Sequence, residues 1–295
     1  MQKAERIAAG SIGIGFVVLG LKLVAWRITG SAALFSDGVE SVVNVVTAVV
    51  ALFALKLSAR PADDNHQYGH HKVEFLSAVV EGVLIVVAAL EIIQHAWLAF
   101  RHPEPLEDLG FGMAVNFVAT LINLGWAQLL LRTGRKIRSP ALAGDGRHLM
   151  SDVATSTGVL AGVGMVWFTG VPWLDPLLAA LTACYILVAG MLLIRDSVGG
   201  LMDAAPAAAV VARVREIVAS EAKGALEAHD FRMRTAGPRS FLEFHLVVPG
   251  TMTVEEAHAI CDRVEAALEA ETEGLLTSIH VEPEVKAKHE GVRVL

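Results

Sequence analysis

The chain has 295 residues, 54% of them hydrophobic, with a mean hydropathy of +0.53 and a net charge of −7. Such apolar content argues for a polytopic membrane protein over two soluble domains. The negative charge, without helix-turn-helix or zinc-finger spacing, excludes a basic nucleic-acid footprint; Cys184 and Cys261, with no CxxC, exclude a disulfide framework or thiolate cage.

Six apolar runs are long enough to span a bilayer: residues 7–26, 32–55, 73–98, 111–131, 141–168 and 173–194. No small-residue cleavage site ends the first, so it is expected to be a retained helix and not a signal peptide. Lys3, Arg6, Lys56, Arg60, Lys72, Arg132, Arg135, Lys136, Arg138 and Arg195 collect on one side, against Arg27 and Arg101 on the other. This bias predicts both termini in the cytoplasm and a multi-pass protein of the inner membrane. Lys22, near the outer end of the first span, is expected to snorkel to the headgroups. On the third span, Glu74, Glu81 and Glu91 are expected at the cytoplasmic end, an inter-helix contact and the outer end.

The fold class is therefore a polytopic α-helical membrane protein of six transmembrane helices with a C-terminal cytoplasmic αββαβ domain. The boundary falls between residues 1–203 and 204–295. In the tail, Val210, Val211, Val214, Ile217 and Val218 keep helical spacing, residues 228–234 and 241–248 read as strands, and Ile260, Val264 and Leu268 mark a second helix. Residues 275–281 make a third strand, and the order fits a two-layer α+β domain.

Two pairs of metal-ligand side chains lie at helical i, i+4 spacing inside apolar runs: Glu40 with Asn44 and His148 with Asp152. Residues four apart share a helix face, so each pair can converge on one ion, and together they supply four donors for a tetrahedral site. An ionisable group at the centre of a bilayer costs about 2.5–3.5 kcal/mol on insertion scales, which marks such residues as functional. The ordinary alternative for each is a hydrogen bond to a neighbouring helix. Asp37 and Asp145, one turn earlier, are either outer-shell acceptors, proton carriers or entry-path charges, or else helix-end carboxylates near the interface.

The loop after the second span carries Asp63, His66 and His70, enough carboxylate and imidazole for a peripheral metal site, although an ordinary polar loop has a similar composition. In the tail, His229, His245, His258, His280 and Glu282 form a third set. His280 and Glu282, two apart on a strand, face one side; singly, each histidine also suits a surface or satisfied core position. There is no P-loop, GxSxG elbow or HExxH, so ATP-driven pumping, serine hydrolysis and membrane metalloprotease chemistry find no support.

Six spans, paired ligands on the second and fifth, a histidine-bearing loop and an αββαβ tail together resemble the cation diffusion facilitator family over nearly the whole chain. Residues 60–72 (RPADDNHQYGHHK) and 229–238 (HDFRMRTAGP) are similar to its bacterial zinc and iron efflux branch. The resemblance implies a transport site at Glu40, Asn44, His148 and Asp152, a loop site at Asp63, His66 and His70, and a tail site at His229, His245, His258, His280 and Glu282. It also implies a homodimer that alternates between inward-facing and outward-facing states and exchanges a cytoplasmic metal ion for protons, with Lys72 and Asp203 as a charge pair linking the membrane domain to the tail. Two positions depart from the branch. Its second-span pair is usually Asp with Asp or His with Asp, not Glu40 with Asn44; and its last tail ligand is Asp, not Glu282.

The resulting expectation is a non-enzymatic, proton-coupled efflux transporter for a divalent transition metal, Zn2+ favoured, with iron, manganese, cadmium or cobalt as alternatives. A membrane-anchored metal sensor without transport is the competing reading, and the intramembrane tetrad, which a sensor does not need, distinguishes them. A metal-dependent intramembrane hydrolase is a third class, without any motif for its substrate.

Overall fold

The computed structural model describes residues 2–102, 108–136, 140–237, 239–272, 274–288 and 291–294. The side chains of residues 2–9, 51, 55, 134–136, 140–145, 147, 148 and 293 lie outside the description, and with them those of Lys3, Arg6, Arg135, Lys136, Asp145 and His148; Arg138 and Pro238 lie outside it altogether.

Six long helices come first: α1 (Gln2–Thr29), α2 (Ala32–Ser58), α3 (Val73–Arg101), α4 (Leu109–Lys136), α5 (Pro140–Thr169) and α6 (Leu174–Leu201). Each contains a stretch long and apolar enough to cross a membrane. In hydrocarbon every backbone N–H and C=O must be satisfied within its own segment, and a continuous helix does this. Phe16, Phe53, Trp97, Leu181 and Tyr185 are exposed on the helix surfaces, whereas Ala89, Ile92, Ala179 and Ala183 are buried between helices. Gly82 and Gly190 let α3 and α6 approach backbone to backbone, since a β-carbon on either would sit within 3.1–3.2 Å of the other's carbonyl oxygen.

The chain divides into two compact units: residues 1–53 with 77–194, and residues 54–76 with 195–295. The second unit contains α7 (Ala208–Glu221), β1 (Glu227–Ala236), β2 (Arg239–Val248), α8 (Val254–Glu271), β3 (Leu275–Pro283), a short 3-10 turn at Glu284–Lys286 and β4 (Val292–Arg293). The expected αββαβ order is present, and β4 extends it. Two residues are too short for any hydrophobic period to reveal, so only pairing with β1 defines this strand.

The sheet runs β3-β2-β1-β4, with β1 antiparallel to β2 and β2 parallel to β3. The parallel pair needs a crossover, which α8 supplies. Thr253 starts α8 with a capping box to Glu256. Alternation along β2 buries Leu242, Phe244, Leu246 and Val248 against Val214 and Val218 of α7 and Val264 and Leu268 of α8. Glu243 and His245 consequently turn to the opposite face.

Candidate metal centre

Within the first unit, α2 and α5 carry the intramembrane pairs. The Asn44 side-chain amide donates from Nδ2 to Asp152 Oδ2 at 2.9 Å, a contact spanning 108 residues of sequence. Asp152 is buried, Glu40 and Asn44 are half-buried, and Thr155, one turn beyond Asp152, donates its hydroxyl to the Asp152 carbonyl at 2.9 Å. Asn44 and Asp152 therefore meet at one α2–α5 seam, with Glu40 one turn before Asn44 on α2. His148 lies one turn before Asp152 on α5; its side chain is outside the description.

Lys22 corrects the expectation of snorkelling. It is 2% exposed, and its Nζ donates to Asp37 Oδ1 at 2.7 Å and to Ser156 Oγ at 2.9 Å, while Ser156 also donates to that Asp37 oxygen at 2.7 Å. A buried ion pair needs such extra hydrogen bonds to offset desolvation, and this triad ties α1, α2 and α5 together around the seam. Asp37 is thus a deeply buried partner of Lys22, not a helix-end carboxylate. Its Oδ2 makes no hydrogen bond.

A second buried carboxylate holds the start of α2. Asp175 on α6 accepts from Ser31 Oγ at 2.6 Å, Ala32 N at 2.5 Å and Ala33 N at 3.4 Å, capping from across the bundle the N–H groups that the first helical turn leaves unpaired. Sequence reasoning missed it. The available signal was an acidic residue at the beginning of an otherwise apolar span.

The second unit holds two further clusters. In the loop, the Asp63 carboxylate accepts the backbone N–H of Asn65 at 3.0 Å and of His66 at 2.7 Å, which winds the segment into a tight turn. That turn brings His66 Nδ1 to 3.3 Å from Asp63 Oδ1 and His70 Nε2 to 3.3 Å from Asp63 Oδ2. The same backbone bond from His66 holds the Asp63 carboxyl below its usual range, leaving it ionised for a cation. His70 Nδ1 is buried without a hydrogen bond.

In the tail, register pairs His229 with His245 across β1–β2 and His245 with His280 across β2–β3, so three imidazoles stand in a row on three adjacent strands, with ring centroids 5.4 and 4.9 Å apart. Glu282 lies beneath them, its oxygens 3.3 Å from His229 Nε2, 3.4 Å from His245 Nδ1 and 3.8 Å from His280 Nε2. A bulge between His229 and Arg232 inserts Asp230 at φ +54, and its Oδ2 comes to 3.9 Å from His245 Nδ1. Asp230, and Glu227 at 3.3 Å from His229 Nδ1, were missed by the sequence. His258 stands elsewhere, exposed on α8 and 3.6 Å from Asp262.

Lys72 and Asp203 also meet. Lys72 Nζ is 2.9 Å from Asp203 Oδ1, and Arg234 of β1 donates to the same oxygen at 3.2 Å. Asp203 adopts φ +60 just past the end of α6. The hydrogen bond from Lys72 holds its carboxyl below the usual aspartate range. Nearby, Ser58 at the end of α2 donates to Glu74 at the start of α3 at 2.5 Å.

Comparison with known proteins matches residues 9–202 to the cation efflux transmembrane domain and residues 206–284 to the cation efflux protein cytoplasmic domain. The chain is 40% identical over 281 residues to the uncharacterized transporter sll1263 of Synechocystis, covering 95% of this chain and 90% of that one. It is 32% identical over 285 residues to the cation-efflux pump FieF of Yersinia enterocolitica, covering 96% and 94%. A solved chain of the transporter CzrB in its Zn form is 50% identical, covering 28% of this chain and 96% of that one, with a TM-score of 0.28. With both domains matched and full-length relatives aligned nearly end to end, the chain belongs to the cation diffusion facilitator family and is a metal-efflux transporter and not an enzyme.

Proposed function

We propose that the chain exports a divalent transition-metal ion, zinc foremost, from the cytoplasm in exchange for protons, as a homodimer in the inner membrane with both termini inside. Residues 1–203 form the transport domain and residues 204–295 the dimerising, metal-binding tail. Glu40, Asn44, His148 and Asp152 are the ligands of the transported ion. The observation that carries this reading is the Asn44–Asp152 contact at 2.9 Å, which joins one member of each ligand pair across two apolar helices, where polar and ionisable groups are costly. Mixed imidazole, carboxylate and amide oxygen suits zinc and admits iron or manganese. Ligation requires a neutral imidazole and ionised carboxylates, so protons and metal compete for the same atoms and the exchange is coupled.

The loop and tail clusters lie outside the spans; they sense metal and set dimer stability without carrying the ion. Lys72 with Asp203 acts as the interlock between the transport domain and the tail. The test is transport into proteoliposomes with zinc, iron, manganese, cadmium and cobalt in parallel under a fixed pH gradient. Zinc uptake that collapses with the gradient and is abolished by Asp152→Ala, in a protein that remains a dimer, supports the proposal. Metal binding without any transport identifies a membrane-anchored sensor instead.

A further inference from the structure

The sheet face opposite α7 and α8 gathers three carboxylates, Glu227, Asp230 and Glu282, around the tail imidazoles. His229 is 4% exposed, and neither ring nitrogen has a hydrogen bond, although each lies 3.3 Å from a glutamate oxygen. A site that concentrates negative charge around deprotonatable donors attracts any nearby cation. One already occupies it. Lys288 Nζ donates to Asp230 Oδ2 at 2.6 Å, the same oxygen that faces His245 Nδ1. His229, Asp230 and His245 can offer ligand atoms that all lie within 4.8 Å of one another, so an ion held by the three needs the carboxylate on which Lys288 sits.

The segment bearing Lys288 is anchored to the same cluster on its far side. Gly291 N donates to Glu227 Oε1 at 3.2 Å, the oxygen that lies 3.3 Å from His229 Nδ1. Val292 and Arg293 then pair with Ala228 and Glu227. Position 291 has to be glycine for this approach, because a β-carbon there would collide with the Ala228 carbonyl and the Glu227 carboxylate. Both carboxylates engaged by the C-terminal segment thus also touch the imidazoles.

We propose that Lys288 is a built-in competitor for cations at the tail cluster: a divalent ion on His229, Asp230 and His245 displaces its ammonium and loosens the C-terminal segment from β1. Lys288 therefore raises the metal concentration at which the tail loads. A compact ammonium on a flexible stem suits a displaceable occupant, since it is a point charge without fixed geometry. The inference rests on the reading of the tail cluster as a metal site.

The test is hydrogen exchange by mass spectrometry on the full chain in lipid nanodiscs, titrated with zinc alone, for the parent, Lys288→Met and Lys288→Arg. Exchange in residues 227–248 reports loading of the cluster, and exchange in residues 284–295 reports the segment. An exposed pair of this kind shifts the loading midpoint about two- to fivefold. The expected result is a midpoint lower by that factor in Lys288→Met, not lowered in Lys288→Arg, with exchange in 284–295 of the parent rising as 227–248 become protected. Equal midpoints in the parent and Lys288→Met, or no zinc-dependent change in 284–295, overturn the role of Lys288 while leaving the tail site intact. Absence of any zinc-dependent protection in 227–248 overturns the tail site itself, and this inference with it.

Discussion

Asn44 donates its amide N–H to Asp152, the residue with which it shares the α2–α5 seam, at 2.9 Å. An amide presents a donor at one end and an acceptor at the other, so engaging Nδ2 leaves Oδ1 as the atom available to a cation. In the metal-free protein Asn44 thereby avoids the repulsion that a further carboxylate would bring beside Asp152. The same neutrality means that the bound ion is balanced by fewer negative charges.

Asn44→Asp is expected to strengthen zinc binding about tenfold or more, because a carboxylate adds charge in a medium of low dielectric. It should also lower the melting temperature of the metal-free protein, by placing two carboxylates where one hydrogen bond stood. Release then limits turnover, and transport depends more steeply on the proton gradient. Calorimetry and pH-jump transport compare the two proteins; equal affinity and equal pH dependence would show that Asn44 does not face the ion.

Lys22→Met leaves Asp37 buried without its cation. Breaking a buried pair by removing one partner costs about 3–5 kcal/mol, whereas replacing both by apolar residues is much milder. Lys22→Met should therefore yield little folded protein, and Lys22→Met with Asp37→Leu should recover much of it, as read by melting temperature and monodisperse yield. A double variant no better than the single one would mean that the pair contributes more than charge balance.

Asp175→Ala removes the carboxylate that holds the first N–H groups of α2. Losing an N-cap side chain costs about 0.5–2 kcal/mol. Hydrogen exchange at residues 32–36 should accelerate, and zinc transport should fall without change in the ligand set, because α2 carries Glu40 and Asn44. Unchanged exchange at the head of α2 would refute the capping role.

The Lys72–Asp203 pair has a defined pH signature. Burial is slight and the pair is solvent-screened, so its contribution is a few tenths to about 1 kcal/mol. Because the folded carboxyl titrates below the ordinary value of 3.8, this stability is fully present above 3.8 and is lost as pH falls through the lower folded value. Lys72→Met should accordingly destabilise the protein at neutral pH and differ little from the parent well below 3.8, as measured by thermal melting across pH.

The six spans and the alternation of β2 were legible because helix and strand impose periods of 3.6 and 2 on neighbouring residues. The pairing of Glu40 with Asn44 and of His148 with Asp152 on single helix faces is of the same kind, a matter of four residues along one helix. The row of histidines on β1, β2 and β3 was only partly so. Alternation places each imidazole on a face of its own strand, but register decides that His229, His245 and His280 become neighbours, and the bulge decides that Asp230 joins them.

Local spacing in the sequence determined the helices, the strands and the face on which each ligand pair lies, because those properties depend only on residues a turn or a pleat apart. Tertiary structure alone decided that Lys22 meets Asp37 and Ser156, that Asp175 caps α2, and that Lys288 reaches Asp230, contacts separated by as many as 144 residues. A charged side chain near a helix end has several low-energy destinations, headgroup or buried partner among them. Which one it takes depends on the faces that neighbouring helices and strands bring to it, and those are set only when the whole bundle and sheet pack.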